Sequence, residues 1–295
     1  MSNTTESLRR KIDSAADLQS VVRTMKTLAA SNIGQYEKSV RALADYNRTV
    51  ELGLSACFRE SGSVPMMLEH KEASNAGAIG AVVFGSDQGL VGQFNDLITD
   101  FAVKTLSTLP GTPQVWAVGE RVHARLTDAG LPLRGLLTVP NSVKAITPLV
   151  GQIQIESEIH RAKGEYARLY IFHNRPLSGA RFEPVSQRLL PLDAQWQHGL
   201  AEVHWPTRNQ PEVMGGKTVT LRGLIREYLF ISLFKACAES LASENSSRLA
   251  AMERADQNIN ELLENLHSTF HRLRQNQIDE ELFDVISGFE ALTKP

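Results

Sequence analysis

The C-terminal part of the chain holds the feature that most limits the fold, a long stretch without helix-breaking residues. Between Leu224 and Ser287 there is neither Gly nor Pro, and apolar residues recur at the three- and four-residue steps of a coiled-coil seam. At about 1.5 Å per residue, such a helix is on the order of 100 Å long. A domain of this size cannot enclose it, so we expect it to project. Its predicted seam is Met252, Ala255, Ile259, Leu262, Leu266 and Leu273, widened by Leu263 and Phe270.

The N-terminal segment carries a matching pattern and is the predicted partner of this helix. Two consecutive steps of four between Met25 and Ile33 predict that the supercoil unwinds locally. We therefore expect a long antiparallel coiled coil made by helices over residues 1–58 and 217–295. The N-terminal seam is Leu8, Ile12, Ala15, Leu18, Val22, Met25, Ala29, Ile33, Tyr36, Val40 and Leu43.

The middle of the chain has the different pattern of an α/β domain, in which short apolar strands alternate with helices. This alternation predicts a mostly parallel sheet with right-handed crossovers. The predicted fold is thus a coiled coil plus a Rossmann-like α/β domain over 78–192, framed by linkers at 59–77 and 193–216. The predicted strands are 78–84, 115–118, 133–139, 168–173 and an edge strand 181–190, and the helices are 94–109, 120–129 and 143–163.

Composition and charge exclude several classes of protein. A net charge of −2 gives no general attraction to nucleic acid. The sequence has two cysteines, Cys57 and Cys237, far apart, which predicts neither a disulfide framework nor a thiolate metal site. The longest weakly polar run, 76–86, is too short for a bilayer, which needs about 20 apolar residues. We expect no direct membrane insertion, so any membrane association comes through partners.

No motif in the sequence assembles a catalytic, cofactor or metal site. Gly215–Thr218 resembles the end of a phosphate-binding loop, but that loop needs a glycine where this chain has Pro211. Gly85–Gly92 has the glycine spacing of neither a dinucleotide fingerprint nor a hydrolase elbow, which favours a tight structural turn. His267 and His271 lie four apart but lack a third ligand in sequence, which favours surface or interface histidines.

Three stretches together resemble one family, the gamma subunit of F-type ATP synthases, and the resemblance covers nearly the whole chain in order. Residues 186–192 also match the end of the family's central domain. The three stretches are Leu8–Ile12 with Thr24–Ser31, then Gly85–Asn95, and a region from Ala242–Glu244 through Arg272–Gln275 to Glu281.

The resemblance implies a non-catalytic rotor subunit, the central stalk. Its coiled coil is expected to lie in the axial channel of the F1 alpha and beta subunits, while its α/β foot contacts the epsilon subunit and the membrane c-ring. Rotation driven by proton or sodium flow would couple the ring to ATP synthesis or hydrolysis in the hexamer. The implied location is peripheral, at the cytoplasmic face of the bacterial inner membrane, and no cofactor is implied.

The resemblance also assigns partner contacts to particular positions. The family usually has Thr where this chain has Asp279. The implied interface residues are Met25, Lys26, Arg274, Gln275 and Asp279, toward the catalytic subunits, and His204 and Trp205, toward the ring and epsilon.

Departures from the family pattern leave alternatives open. The family usually has Cys at Val91, Gly at Gln93 and Lys at Asn32. Both an ordinary gamma subunit and the divergent alternative (N-type) F-type ATPase branch fit the sequence. Two other classes also remain: a non-rotary coiled-coil tether with an α/β docking domain, and a small α/β enzyme with helical arms.

Overall fold

The computed structural model describes residues 4–61, 77–166, 168–192 and 216–293, and between the last two ranges residues 196, 199, 200, 202, 205–207 and 209. The chain divides into two compact units. The helix-pair unit consists of 1–28 with 249–295, and the sheet unit consists of 29–248.

Long helices stand at both ends of the chain, with an alternation of strands and helices between them. Among the described helices, none has the length and apolarity needed to cross a bilayer. The helices are α1 (Thr5–Ser61), α2 (Phe94–Thr108), α3 (Glu120–Asp128), α4 (Val143–Ala162) and α5 (Lys217–Thr293), and the strands are β1 (Ile79–Phe84), β2 (Pro113–Val118), β3 (Leu133–Leu137), β4 (Arg168–Pro176) and β5 (Phe182–Leu190).

The strands form one five-stranded sheet in the order β3-β2-β1-β4-β5. β1 pairs in parallel with β2 and β4, and β2 pairs in parallel with β3. β5 runs antiparallel to β4 at the edge. All six residues of β1 are buried, because a central parallel strand is covered on both faces. The predicted mostly parallel sheet and its added edge strand are confirmed.

Both faces of the sheet are covered by helices, which makes a three-layer α/β domain. On one face, α2 and α3 pack through residues such as Ile98, Val122 and Leu126. On the other face, α4 packs beside the α5 segment that contains Leu233 and Leu241. Tyr36 of α1 also packs in the apolar cluster on this face, with α4 and α5.

The α5 residues on the sheet are buried on nearly every side. From Ile231 to Ser247, all residues are buried except Lys235. A helix that is covered all round is a core helix. The sheet unit thus takes one of its layers from the long C-terminal helix, in addition to the elements between residues 78 and 192. Together with the antiparallel pairing described below, this confirms the predicted fold class of paired terminal helices plus a Rossmann-like domain.

A third apolar cluster joins the C-terminal part of α1 to the first turns of α5 within the sheet unit. Leu54 and Cys57 on α1 pack with Ile225 and Tyr228 on α5. The Trp196 ring lies 4.6 Å from the Tyr228 ring, measured between centroids. α1 and α5 therefore share an apolar interface inside the sheet unit as well.

Gly119, between β2 and α3, provides a test of how closely this sheet is packed. Its φ is +116°, and an added Cβ would lie 2.7 Å from the Ser86 carbonyl oxygen. We predict that Gly119→Ala lowers the free energy of unfolding by about 3 kcal/mol, because backbone strain and steric overlap add. Gly130→Ala, at φ +76° with nothing within 4 Å, should cost about 1 kcal/mol. Urea denaturation measures both, and equal losses would contradict this packing.

Candidate functional site

Polar contacts fix the register of α1 and α5 in the helix-pair unit. The Gln19 side-chain amide donates to Asn260 Oδ1. Arg23 Nε lies 3.2 Å from Asp256 Oδ1, and Lys26 Nζ lies 3.6 Å from Glu253 Oε1. Residue numbers rise on α1 as they fall on α5, so the helices are antiparallel, as predicted.

The seam of α1 differs from the prediction at one position. Leu8 and Ala15 are buried, but Leu18 is 60% exposed, so its assignment to the seam was wrong. Gln19 is half-buried instead, because a step of four after Ala15 keeps the alternation that leads to Val22. A residue one position away is rotated by about 100°, which turns Leu18 out of the interface.

Lys26 changes how the predicted break in the α1 seam is interpreted. Lys26 is half-buried, and it lies four residues after Val22 and three before Ala29. The burial pattern therefore alternates steps of three and four without interruption. The aliphatic stem of Lys26 can occupy a seam position. The burial pattern therefore does not require the supercoil to unwind between Met25 and Ile33.

The α5 seam contains a similar difference. Leu262 is 50% exposed, whereas Leu263 is half-buried, as are Ile259 and Leu266. The prediction that placed Leu262 on the seam was therefore wrong, and Leu263 occupies that position. Neighbouring leucines are equivalent in sequence, and the partner helix decides which one is covered.

The predicted partner residues lie at two separate positions along the axis of the helix-pair unit. Met25 and Lys26 are half-buried, and Lys26 pairs with Glu253, whereas Arg274 and Gln275 are exposed. Along α5, Arg274 is about 30 Å from Glu253. The register therefore divides these residues between two distinct zones.

The remaining predicted residues are placed as follows. Asp279 is exposed on α5. Trp205 belongs to the sheet unit and is half-buried, and its indole Nε1 donates to Thr207 Oγ1 at 3.1 Å. His204 lies outside the described residues.

An exposed apolar stripe occupies the end of α5, and sequence reasoning missed it. The register places Thr5, the first residue of α1, opposite about residue 274 at helical rise. Within the part of the chain that the structure describes, α1 does not extend along the last turns of α5. The steps of three and four give the signal that could have revealed the stripe. Its members are Ile278, Leu282, Phe283, Val285, Ile286 and Phe289, which are 44–70% exposed.

The Gly85–Gly92 segment forms a hydrogen-bonded turn, as its glycine spacing favoured. The Ser86 backbone N–H donates to Asn95 Oδ1 at 3.0 Å, and Asn95 Nδ2 donates to Ser86 Oγ at 2.8 Å. The Asp87 carboxylate accepts from the backbone N–H groups of Glu120 and Val139, each at 3.0 Å. Ser86 N–H, which a phosphate-binding turn would present to its ligand, is therefore used internally.

A row of polar contacts between α5 and the sheet was also missed. Ser243 Oγ donates to the Asn174 carbonyl oxygen at 2.9 Å. Ser247 Oγ donates to the Val91 carbonyl oxygen at 2.5 Å. His173 Nε2 and Glu239 Oε2 are 2.7 Å apart, and both residues are buried. The signal in the sequence was a serine-rich stretch within a helix otherwise rich in apolar residues.

A buried ion pair lies beside this row on the same helix. Arg248 Nη2 is 2.7 Å from Glu244 Oε1, and the Glu244 side chain is 7% exposed. Burial raises the pKa of the Glu244 carboxyl, while Arg248 acts in the opposite direction. A buried charge needs such a partner to remain ionised.

The histidine pair on α5 lies side by side. The His267 and His271 rings are 6.5 Å apart between centroids. Throughout the described ranges, no group of three or more His, Cys, Asp or Glu residues is arranged to hold a metal ion. The structure therefore adds no third ligand to this pair.

The fold and these surfaces define a class of protein in which an α/β domain is combined with an antiparallel pair of terminal helices that has an exposed apolar end. A family model described as ATP synthase matches residues 4–292. The chain therefore belongs to the ATP synthase family.

Curated relatives match over almost their whole length. An ATP synthase gamma chain of Dechloromonas aromatica is 27% identical over 291 residues, and the match covers 97% of this chain and 98% of the relative. An ATP synthase gamma chain of Leptothrix cholodnii is 26% identical over 295 residues, with the same coverage.

Solved structures share the fold at lower identity. A chain of the Euglena gracilis mitochondrial ATP synthase, OSCP/F1/c-ring, has a TM-score of 0.62 at 17% identity, covering 98% of this chain and 94% of that chain. A chain of the Tetrahymena thermophila mitochondrial ATP synthase central stalk and c-ring has a TM-score of 0.57 at 19% identity, covering 80% and 99%.

Adjacent leucines on α5 test the observed seam. We predict that Leu263→Ala lowers the free energy of unfolding of the helix-pair unit by about 2 kcal/mol, because it removes a seam contact. Leu262→Ala, the matched control, should change it by less than about 0.5 kcal/mol. Urea titration followed by circular dichroism measures both, and a larger loss for Leu262→Ala would refute the register.

Proposed function

We propose that the chain is the gamma subunit, the central-stalk rotor, of an F-type ATP synthase or ATPase. In this role it couples ion-driven rotation of a membrane ring to ATP synthesis or hydrolysis in a hexamer of alpha and beta subunits. One observation carries the proposal: an antiparallel helix pair in fixed register ends in an apolar stripe that α1 does not cover. The gamma-chain names of the relatives support it.

The hexamer contacts fall in the two zones of the helix-pair unit. In the zone around Glu253, Met25 and the Lys26–Glu253 pair are partly accessible, so Lys26 can exchange Glu253 for a partner carboxylate. In the zone that begins at Arg274, the side chains of Arg274, Gln275 and Asp279 are exposed. The Arg274 guanidinium suits a bidentate contact with carboxylates of a catalytic subunit better than a lysine would.

The apolar stripe at the end of α5 favours an apolar sleeve in the hexamer. Full burial of a large apolar side chain contributes about 1.5–3 kcal/mol. If the hexamer covers Leu282, Val285 and Phe289, their burial stabilises the complex. At about 100° per residue, Glu281 borders the stripe and Asp279 lies at its edge, between Ile286 and Phe283. The sleeve should therefore have an apolar wall and basic residues beside it.

The sheet unit supplies the remaining partner contacts in this proposal. We assign His204 and Trp205 to contacts with the c-ring and the epsilon subunit, as the resemblance implies. Binding to a membrane ring would make the protein peripheral at the cytoplasmic face of the bacterial inner membrane. We keep the domain bounds proposed from the sequence, helices over 1–58 and 217–295, linkers at 59–77 and 193–216 and the foot at 78–192, except that α1 continues to Ser61.

Nucleotide chemistry is assigned to the partners and not to this chain. In the sheet unit the Ser86 N–H at the β1 turn is paired with Asn95, which supports a non-catalytic role. Each rotational position must bias the catalytic sites through unequal contacts, because equal contacts shift no equilibrium.

We also propose that the chain belongs to the divergent, N-type branch. Val91, Gln93 and Asp279 depart from the usual family pattern, and the relatives above are 26–27% identical although they match end to end. The neighbouring genes test this proposal. A second, complete F-type operon elsewhere in the same genome supports it, and a single operon containing this gene contradicts it.

Reconstitution tests the rotor function. The purified chain should show no ATPase activity, and adding it to an alpha/beta hexamer should produce ATP-driven rotation of a bead attached to the sheet unit. Binding without rotation would indicate a tether instead. ATP hydrolysis by the chain alone would indicate an enzyme. Either result overturns the proposal.

Arg274 provides the sharpest test of the hexamer contacts. We predict that Arg274→Ala weakens binding to the hexamer about tenfold or more, because a buried carboxylate partner is left unpaired. Arg274→Lys keeps the charge and should recover only part of the affinity. Since the side chain is exposed, the unfolding midpoint of the isolated chain should not move. Unchanged affinity and pumping for Arg274→Ala would count against this contact.

A further inference from the structure

The strand order creates a crevice at the carboxyl ends of β1 and β4. From β1 the chain continues to β2 and β3 on one side, and it then returns to β4 on the other side of β1. In open α/β sheets, ligands bind outside the strand ends at such a switch point. The occupant of this crevice is therefore a central question about the fold.

The turn after β1 is closely packed and its first N–H is already used. An added Cβ at Gly85 would lie 2.3 Å from Val122 Cβ, and the Ser86 N–H donates to Asn95 Oδ1 at 3.0 Å. Asn174, near the end of β4, donates from Nδ2 to the Phe94 carbonyl oxygen at 3.0 Å. The residues at the strand ends thus bind one another.

Helix α5 lies against the same strand ends. Glu239, Ser243 and Ser247 are spaced four residues apart and so share one face of the helix. They contact His173 and Asn174 of β4 and the Val91 carbonyl oxygen that follows β1. We define these three α5 residues as the polar row.

We propose that the switch-point crevice is a socket for α5, and that Ser243 and Ser247 are positioning residues that fix the rotation and axial position of the helix on the sheet. Where other folds of this topology hold a small ligand, this chain holds its own C-terminal helix. The transmission of torque through the socket rests on the proposed rotor function, but the fixing of the helix does not.

The physical reason is the difference between apolar and polar contacts. Apolar packing is non-directional, so Leu233 and Leu241 alone tolerate small rotations of the helix. A rotation or axial shift of α5 that carries the serine Oγ atoms more than about 3.5 Å from their carbonyl acceptors would break these hydrogen bonds. Each buried carbonyl left without a donor costs about 1–3 kcal/mol. The row therefore selects a single register.

The test measures register directly, by spin-label distances in the full chain. Labels on Arg222→Cys in α5 and Asp128→Cys in α3 occupy exposed positions of the sheet unit, after Cys57→Ala and Cys237→Ala remove the buried thiols. Ser243→Ala with Ser247→Ala should at least double the width of the distance distribution or add a second population.

Ser240→Ala is the matched control. Ser240 is buried on the same helix, and among the described residues its hydroxyl has no hydrogen-bond partner. The distance distribution of the Ser240→Ala variant should equal that of the unchanged chain. If the double variant also keeps the original distribution, or if the control broadens equally, the proposal is overturned. Should the double variant not fold, Ser247→Ala alone is measured against the same criterion.

A second measurement separates this inference from the rotor function. In the assembled ATPase, the double variant should transport at least twofold fewer ions per ATP hydrolysed, while Ser240→Ala keeps the original ratio. If the unchanged chain does not couple at all, the rotor function fails and the distance result on the isolated chain still stands. An unchanged ion-to-ATP ratio in a broadened double variant would refute the role in torque.

Discussion

The pairing of α1 with α5 is the constraint on which the rest of the structure depends. A helix of 77 residues cannot cover its own apolar stripe, and α1 covers part of it in each unit. Exposed ion pairs contribute only about 0–1 kcal/mol each, so Arg23–Asp256 and Lys26–Glu253 stabilise the pair little. Their role is to select the register in which the apolar seam closes, and that register leaves the end of α5 uncovered by α1.

One helix serves two environments because its composition changes along its length. Between Ile231 and Ser247 it is covered on nearly all sides and relies on serines that bind backbone carbonyls. Beyond Arg248 the charged residues return, and only one stripe is covered. Small polar side chains allow close approach in the first region, and large apolar ones fill the seam in the second. A rotor needs both properties, a firm hold on its sheet and a defined shaft.

Sequence periodicity predicted the helices, the mostly parallel sheet and the pairing of the terminal helices, because these follow from the spacing of apolar residues. It failed at Leu18 and Leu262, where the partner helix decides which neighbour is covered. The contacts of Ser243 and Ser247 could not be predicted, since they depend on a sheet more than 60 residues distant in sequence. The partner roles of Met25, Lys26, Arg274, Gln275, Asp279, His204 and Trp205 stay predictions, because partner contacts lie outside a single chain.

The distance between spin labels on α1 and α5 tests the central claim most directly. Labels at Glu6 and Arg274 should be as close as labels at Gln19 and Asn260, because antiparallel helices keep the sum of paired residue numbers constant. Labels at Gln19 and Arg274 should be farther apart by on the order of 10 Å, because their sites are offset by about 20 Å along helix axes that lie about 10 Å apart. A short Gln19–Arg274 distance, or a long Glu6–Arg274 distance, would contradict the pairing and with it the account of the shaft.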